Sequence, residues 1–71
     1  MDKGFIEYLI SRLMDNAIEA SKEYAENRKD LFNSGRSLAY YEVMDIIKSE
    51  LICNGYDTEE FGLDIELEKV L

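Results

Sequence analysis

The sequence of 71 residues has no histidine, no proline and no tryptophan, and it has a single cysteine. Without histidine there is no His ligand for zinc, no imidazole general base, and no Ser-His or Cys-His nucleophile pair. One cysteine excludes a disulfide within the chain, so packing or self-association has to stabilise a domain of this size. We therefore expect no catalytic residues, no metal site and no cofactor.

The single cysteine, Cys53, lies among apolar neighbours, and this setting predicts a small buried thiol rather than a reactive one. A lone free thiol also suits the reducing cytoplasm. No apolar run approaches the ~18 residues that a membrane span requires. The sequence thus predicts a cytoplasmic protein without a membrane partner.

Basic residues are also scarce, with eight Lys and Arg against sixteen Asp and Glu, for a net charge of -8. Such a charge repels a phosphate backbone and counts against direct nucleic-acid binding. The excess is largest in the tail, residues 57–71, where six acidic residues accompany one lysine. These charges keep an apolar tail soluble in the simplest interpretation. Alternatively, they mimic a nucleic-acid backbone or bind a basic protein surface.

Apolar residues recur at helical spacing from residue 3 to about residue 27. In a helical projection one side holds Ile6, Leu9, Ile10, Leu13, Met14, Ala17, Ala20 and Tyr24. Their alternating four- and three-residue steps are typical of a seam between packed helices. The other side carries Asp15, Glu19 and Glu23, spaced so that they could hold a divalent cation. Interleaved basic residues make a solvated face the simpler interpretation.

The turn after this helix has two candidate positions. In "ENRKD", Asp30 can cap a second helix, which puts the turn at residues 27–30. The residue types of "NSG", residues 33–35, also favour a turn. We prefer the first, in which case Gly35 lies inside helix two and forms, with Ala39, a pair of small residues that permits close backbone approach.

Helix two is predicted from about residue 31 to residue 53, ending at Asn54-Gly55. Its apolar residues spread widely and leave a coherent polar strip only at Glu42, Asp45 and Ser49. A helix of this kind needs more than one covering surface.

The tail supplies one such cover. Asp57 has capping spacing to Glu60, and Gly62 can end a single turn. The following "LDIELEKVL" fits both a strand and a helix, so its conformation stays open.

Together these patterns predict one all-α domain, residues 1–71. It is an antiparallel hairpin of two long helices, about 3–27 and 31–53, with a short C-terminal turn and a docked tail. Because the hairpin and tail leave apolar surface uncovered, we expect a homodimer in which helix two packs against its symmetry mate. The product is a four-helix-bundle-like core.

Adjacent tyrosines mark the candidate interface. Tyr40 and Tyr41 point about 100° apart on a helix, so one ring belongs to the core and the other to a second contact. Arg36, one turn before Tyr40, can stack on its ring or pair with a carboxylate, for example in the tail. Arg and Tyr are enriched at interface hot spots. The predicted interface residues are Arg36, Tyr40, Tyr41, Ile46 and Phe61.

Two stretches, "FNSGRSLAYYEVMDIIKSEL" and "FGLDIELEKVL", resemble small uncharacterised proteins of clostridia and other gut Firmicutes that share a G-R-x-L-A-Y-Y-E-V core and an acidic tail. The resemblance covers roughly the last forty residues. It implies a bacterial cytosolic protein and no particular activity. In size the chain also resembles the sporulation aspartyl-phosphate phosphatases. Their Ser-Gln-x-x-x-Asp signature is absent, since Glu50 follows Ser49 and Cys53 stands in place of the aspartate.

The function expected from the sequence is that of a non-enzymatic protein–protein interaction module or small regulatory protein. It acts on an unidentified protein partner through helix two and the tail. The alternative is an acidic, nucleic-acid-mimicking inhibitor of a DNA-binding protein. A carboxylate- and metal-dependent enzyme is the least favoured.

Overall fold

In the computed structural model, which describes residues 2–71, the chain is all-α. Helix α1 spans Lys3–Glu26 and helix α2 spans Leu31–Cys53. They pack antiparallel as a hairpin, followed by a 3-10 turn at Thr58–Phe61 and the short helix α3 at Leu67–Val70. The predicted hairpin and the bounds of its helices are confirmed.

Asp30 fixes the start of α2. Its carboxylate accepts hydrogen bonds from the backbone N–H groups of Phe32 and Asn33, at 2.9 and 3.2 Å. A cap of this kind satisfies N–H groups that no helical carbonyl can reach. The turn therefore lies at residues 27–30, as preferred, and the alternative at 33–35 is wrong.

Gly35 accordingly lies inside α2, but it has no packing role there. A Cβ atom built on it would meet no atom within 4 Å. Both Gly35 and Ala39 are exposed, because they occupy the side of α2 that faces solvent. The prediction that this pair permits a close backbone approach is therefore wrong.

The core lies between the hairpin and the tail. Among residues 2–71 the buried apolar residues are Ile10, Ala17, Ala20, Met44, Phe61, Leu63 and Leu67. Those from α1 all belong to the seam predicted from the sequence, and the last three come from the tail. The tail is thus a structural layer of the fold, since it supplies a large share of the side chains that exclude water.

The conformation of the tail combines a 3-10 turn, an extended link and a final helical turn. The Asp57 carboxylate accepts from the Glu59 N–H at 3.0 Å, and Gly62 ends the turn with a φ of 71°, a left-handed value that glycine adopts readily. The Glu60 carboxylate accepts a hydrogen bond from the ammonium group of Lys3 in α1, at 2.9 Å. That hydrogen bond is the main reason why the pKa of Lys3 is raised above its ordinary value.

Polar contacts fasten the tail along its length. The Lys48 ammonium group donates to the backbone carbonyl of Ile65. Near the C-terminus, the Ser21 hydroxyl donates to the carbonyl of Leu71 at 2.7 Å. The two contacts come from α2 and α1 respectively, so the tail is held by both helices.

Cys53, the last residue of α2, is exposed, and the prediction of a buried thiol is wrong. The reason is helical geometry. Leu51 is the half-buried residue in this last turn, and Ile52 and Cys53 lie about 100° and 200° further round the helix. Both therefore turn away from the core, and Ile52 is 57% exposed.

Replacing Leu63 with Ala should destabilise the chain strongly, because the side chain is completely buried between the tail and the hairpin. A buried Leu→Ala change leaves a cavity and costs about 2–5 kcal/mol of unfolding free energy. The matched control is Leu38→Ala, at a position 58% exposed, where we expect a change of about 0.5 kcal/mol or less. Urea unfolding followed by circular dichroism, at equal protein concentrations, measures both. Equal costs for the two variants would contradict the proposed role of the tail in the core.

Candidate interaction surface

A groove of about 400 Å³ runs between α1 and α2. It is hereafter the open groove. Its walls come from facing turns near the N-terminus of α1 and the C-terminus of α2, closed at one end by the residues after α2. The lining residues are Ile6, Leu9, Ile10, Leu13, Ile46, Ile47, Glu50, Leu51, Asn54 and Tyr56.

The open groove and the part of the tail around Ile65 lie on opposite sides of α2. The Lys48 ammonium group donates to the Ile65 carbonyl, whereas Ile46 lines the open groove. Residues two positions apart on an α-helix are separated by about 200° around its axis. This part of the tail therefore covers one side of the hairpin, whereas the 3-10 turn lies at the end of the open groove, where Phe61 packs against Tyr56.

Large apolar side chains at the open groove are exposed to solvent. Ile46 is 61% exposed, Tyr56 56% and Leu9 38%. Phe5, one turn before Leu9, and Val43, one turn before Ile46, extend the same surface with exposures of 46% and 40%. The largest contiguous apolar patch on a monomer is often a functional site.

Arg36, a predicted interface residue, is engaged within the chain. Its guanidinium group pairs with the Glu23 carboxylate of α1 and lies 5.9 Å from the centre of the Tyr40 ring. Both contacts expected of Arg36 are thus present, but the carboxylate belongs to α1 and not to the tail. The cause is the antiparallel hairpin, which sets the last turns of α1 beside the first turns of α2.

This pair also removes Glu23 from the row of carboxylates that the sequence places on α1. Within residues 2–71, no group of three or more His, Cys, Asp or Glu side chains is arranged to hold a metal ion. Asp15 and Glu19 of this row are exposed, and Glu23 is engaged with Arg36.

Tyr40 and Tyr41 are both half-buried against the core. The Tyr41 hydroxyl lies 3.5 Å from a carboxylate oxygen of Glu68 in the tail, to which it donates. Burial is the first cause of the raised pKa of Tyr41, and the charge of Glu68 is the second. Tyr41 thus contacts the tail as well as the core. The sequence led us to expect such a second contact for one of the two tyrosine rings.

Ile46 and Phe61, the remaining predicted interface residues, have different environments. Ile46 is exposed and lines the open groove. Phe61 is only 7% exposed, and its ring packs edge-on against Tyr56 with centroids 6.0 Å apart. Phe61 is therefore a core residue, because the 3-10 turn points it into the hairpin, and Ile46 is the predicted residue that an exposed surface can use.

The sequence placed the candidate surface on helix two and the tail, and the wall that α1 contributes to the open groove was not predicted. Leu9 was placed with the seam residues, yet it lies at the edge of their arc and remains partly exposed. Phe5, one turn earlier at the same edge, had no assigned role. An apolar side chain at the edge of an apolar arc can contact a second surface besides the core. The positions of Phe5 and Leu9 gave this indication in the sequence.

Charge is distributed unevenly between the two sides of the molecule. Among the lining residues of the open groove, Glu50 is the one that carries a charge at neutral pH. The tail carries six acidic residues and one lysine, and all six acidic side chains are exposed. The open groove is therefore nearly neutral, and the tail side is strongly acidic.

Comparison with known proteins gives no relative, since no protein-family model, no curated protein and no solved structure matches the chain. Across residues 2–71, neither long helix combines the length and hydrophobicity needed to cross a lipid bilayer.

Lys48→Met should loosen the tail without unfolding the hairpin. Methionine keeps an apolar stem but removes the charged donor to the Ile65 carbonyl, and a hydrogen bond from a charged group contributes about 1.5 kcal/mol. Backbone amides of residues 63–71 should then exchange with solvent roughly tenfold faster in hydrogen-exchange mass spectrometry. Lys69→Met is the control, because Lys69 pairs with Glu66 inside the tail itself. Unchanged exchange in the Lys48 variant would rule out a fastening role for this lysine.

Proposed function

We propose that this chain is a non-enzymatic protein–protein interaction module, a small regulatory protein of the bacterial cytoplasm, that binds its partner in the open groove. The single observation that carries the proposal is the exposure of large apolar side chains on both walls of this groove. Leaving them in water costs free energy that a bound protein surface recovers. An exposed free thiol at Cys53 also suits a reducing compartment.

The shape and chemistry of the open groove favour a helical protein surface as its occupant. Its walls are aliphatic side chains from two antiparallel helices, among them Leu9 and Leu13 of α1 and Ile46 of α2. Grooves of this kind accept apolar side chains spaced one helical turn apart on a third helix. Glu50 and Asn54 at the rim supply polar groups that orient such a helix.

The sequence suggested that the tail contacts the partner, but in this proposal the tail supports the hairpin. Leu63 and Leu67 are buried against the hairpin, so their apolar surface is not free to contact a partner. The tail instead holds α2 in place through Lys48 and Tyr41. It thereby leaves Ile46 on the solvent side of α2.

A second candidate function follows from the acidic side of the molecule. Six exposed carboxylates on one tail favour binding to a basic protein, and a nucleic-acid-mimicking inhibitor works in this way. Such binding weakens steeply as salt rises from 50 to roughly 500 mM, because ions screen exposed charges. Apolar docking in the open groove keeps its affinity over the same range. The salt dependence of any complex recovered therefore separates the two candidates.

Photo-crosslinking tests the proposed surface. A benzophenone amino acid placed at Val43, beside the open groove, should form covalent adducts with protein in cells that express the chain. The same amino acid placed at Glu66, an exposed tail residue, is the matched control. Adducts identified by mass spectrometry should form at position 43 in at least about tenfold excess over position 66, because an interface residue lies within bonding distance of its partner.

The two positions give clear outcomes. Adducts at position 43 that disappear when Ile46→Glu is added support the proposal, since a charge in the groove blocks apolar docking. Equal adduct formation at both positions, or none at position 43, overturns it. Adducts confined to position 66 favour the acidic inhibitor instead.

A further inference from the structure

We infer that the partner in the open groove is a second copy of this chain. Two hairpins then stack groove against groove about a two-fold axis, and the two pairs of α1 and α2 form a four-helix bundle. This inference rests on the proposed function, because it names the protein that the groove binds. It also moves the contact from helix two alone to both helices.

The exposed apolar area matches what such a dimer needs. A standard interface buries about 800 Å² on each partner, of which roughly 57% is apolar. Side chains of these types present on the order of 150–200 Å² when fully exposed. At their observed exposures, Phe5, Leu9, Val43, Ile46 and Tyr56 together offer roughly 400 Å² of apolar surface on each copy. These five side chains thus supply roughly nine-tenths of the apolar area that one partner of a standard interface buries.

The charge distribution permits the approach of a second copy. Each chain carries a net charge of -8, so two copies repel unless they meet where the charge is low. The open groove offers that place, since Glu50 is the charged residue of its lining. In the stacked dimer the acidic residues Asp64, Glu66 and Glu68 of the two tails lie on the outer faces with two layers of helix between them, roughly 20 Å apart or more. That separation exceeds the Debye length of about 8 Å at physiological salt, so their repulsion is screened.

The tail of the same chain cannot occupy the open groove without giving up its present site. Leu63 and Leu67 fill the core on the other side of the hairpin, and Lys48 and Ser21 hold the backbone there. A basic partner in the groove would contact a single carboxylate there and would make no contact with the acidic tail. A second copy requires neither rearrangement nor complementary charge.

Sedimentation velocity on the purified chain tests the inference. At about 100 µM the wild-type chain should sediment as a dimer of twice 8.3 kDa. Ile46→Glu should raise the dissociation constant roughly 30-fold or more, because it puts a charge into the apolar contact. The matched control is Ile52→Glu. Ile52 is 57% exposed against 61% for Ile46 but lies about 120° away around α2, outside the groove, so this variant should remain dimeric.

A variant in α1 helps to distinguish loss of the interface from misfolding of the chain. Leu9→Gln should weaken the dimer in the same way, and circular dichroism should show wild-type helicity for all three variants. Raising the salt concentration should leave the dimer unchanged or strengthen it, since salt screens the repulsion between like-charged chains. A monomeric wild-type chain at 100 µM, or equal effects of Ile46→Glu and Ile52→Glu, overturns the inference.

The crosslinking experiment distinguishes this failure from failure of the proposed function. If the adducts at position 43 always contain another protein and never a second copy, the interaction module stands and the second copy is wrong. If no protein of any kind is captured at position 43, the proposed function itself fails.

Discussion

The packing of the tail along the α1–α2 hairpin is the contact on which the rest of the structure depends. Two helices of this length bury only one strip each, and a chain of 71 residues has little apolar surface to spare. By placing Phe61, Leu63 and Leu67 against Ile10 and Met44, the tail adds a layer to the two-helix hairpin. It also decides which side of the hairpin stays open, because it can cover only one.

The helices could be predicted from the sequence because their determinants are local. The seam of α1 follows from 3.6-residue periodicity, and Asp30 marks the start of α2 through a hydrogen bond that spans only two or three residues. The stop at Asn54-Gly55 is equally local, with Gly55 at a φ of 79°. None of these features requires knowledge of which elements later pack together.

What the sequence could not fix depends on contacts between distant residues. Arg36 could pair with any carboxylate in reach, and only the antiparallel hairpin brings Glu23 to it. Cys53 was predicted to be buried and is exposed, because burial is set by the direction of a helical turn relative to the core and not by apolar neighbours in the chain. The candidate site was half foreseen, with Ile46 identified and the α1 wall missed.

The link between α2 and the 3-10 turn is only four residues long, Asn54 to Asp57. Such a tether gives the tail an effective concentration in the millimolar range, so its docking is independent of how much protein the cell makes. In the proposed dimer the occupant of the open groove has no tether, so a second copy would fill the groove only as the chain accumulates. One face of the hairpin would then be covered at any concentration and the other only at high concentration, and dimerisation would make this small chain a reporter of its own expression level.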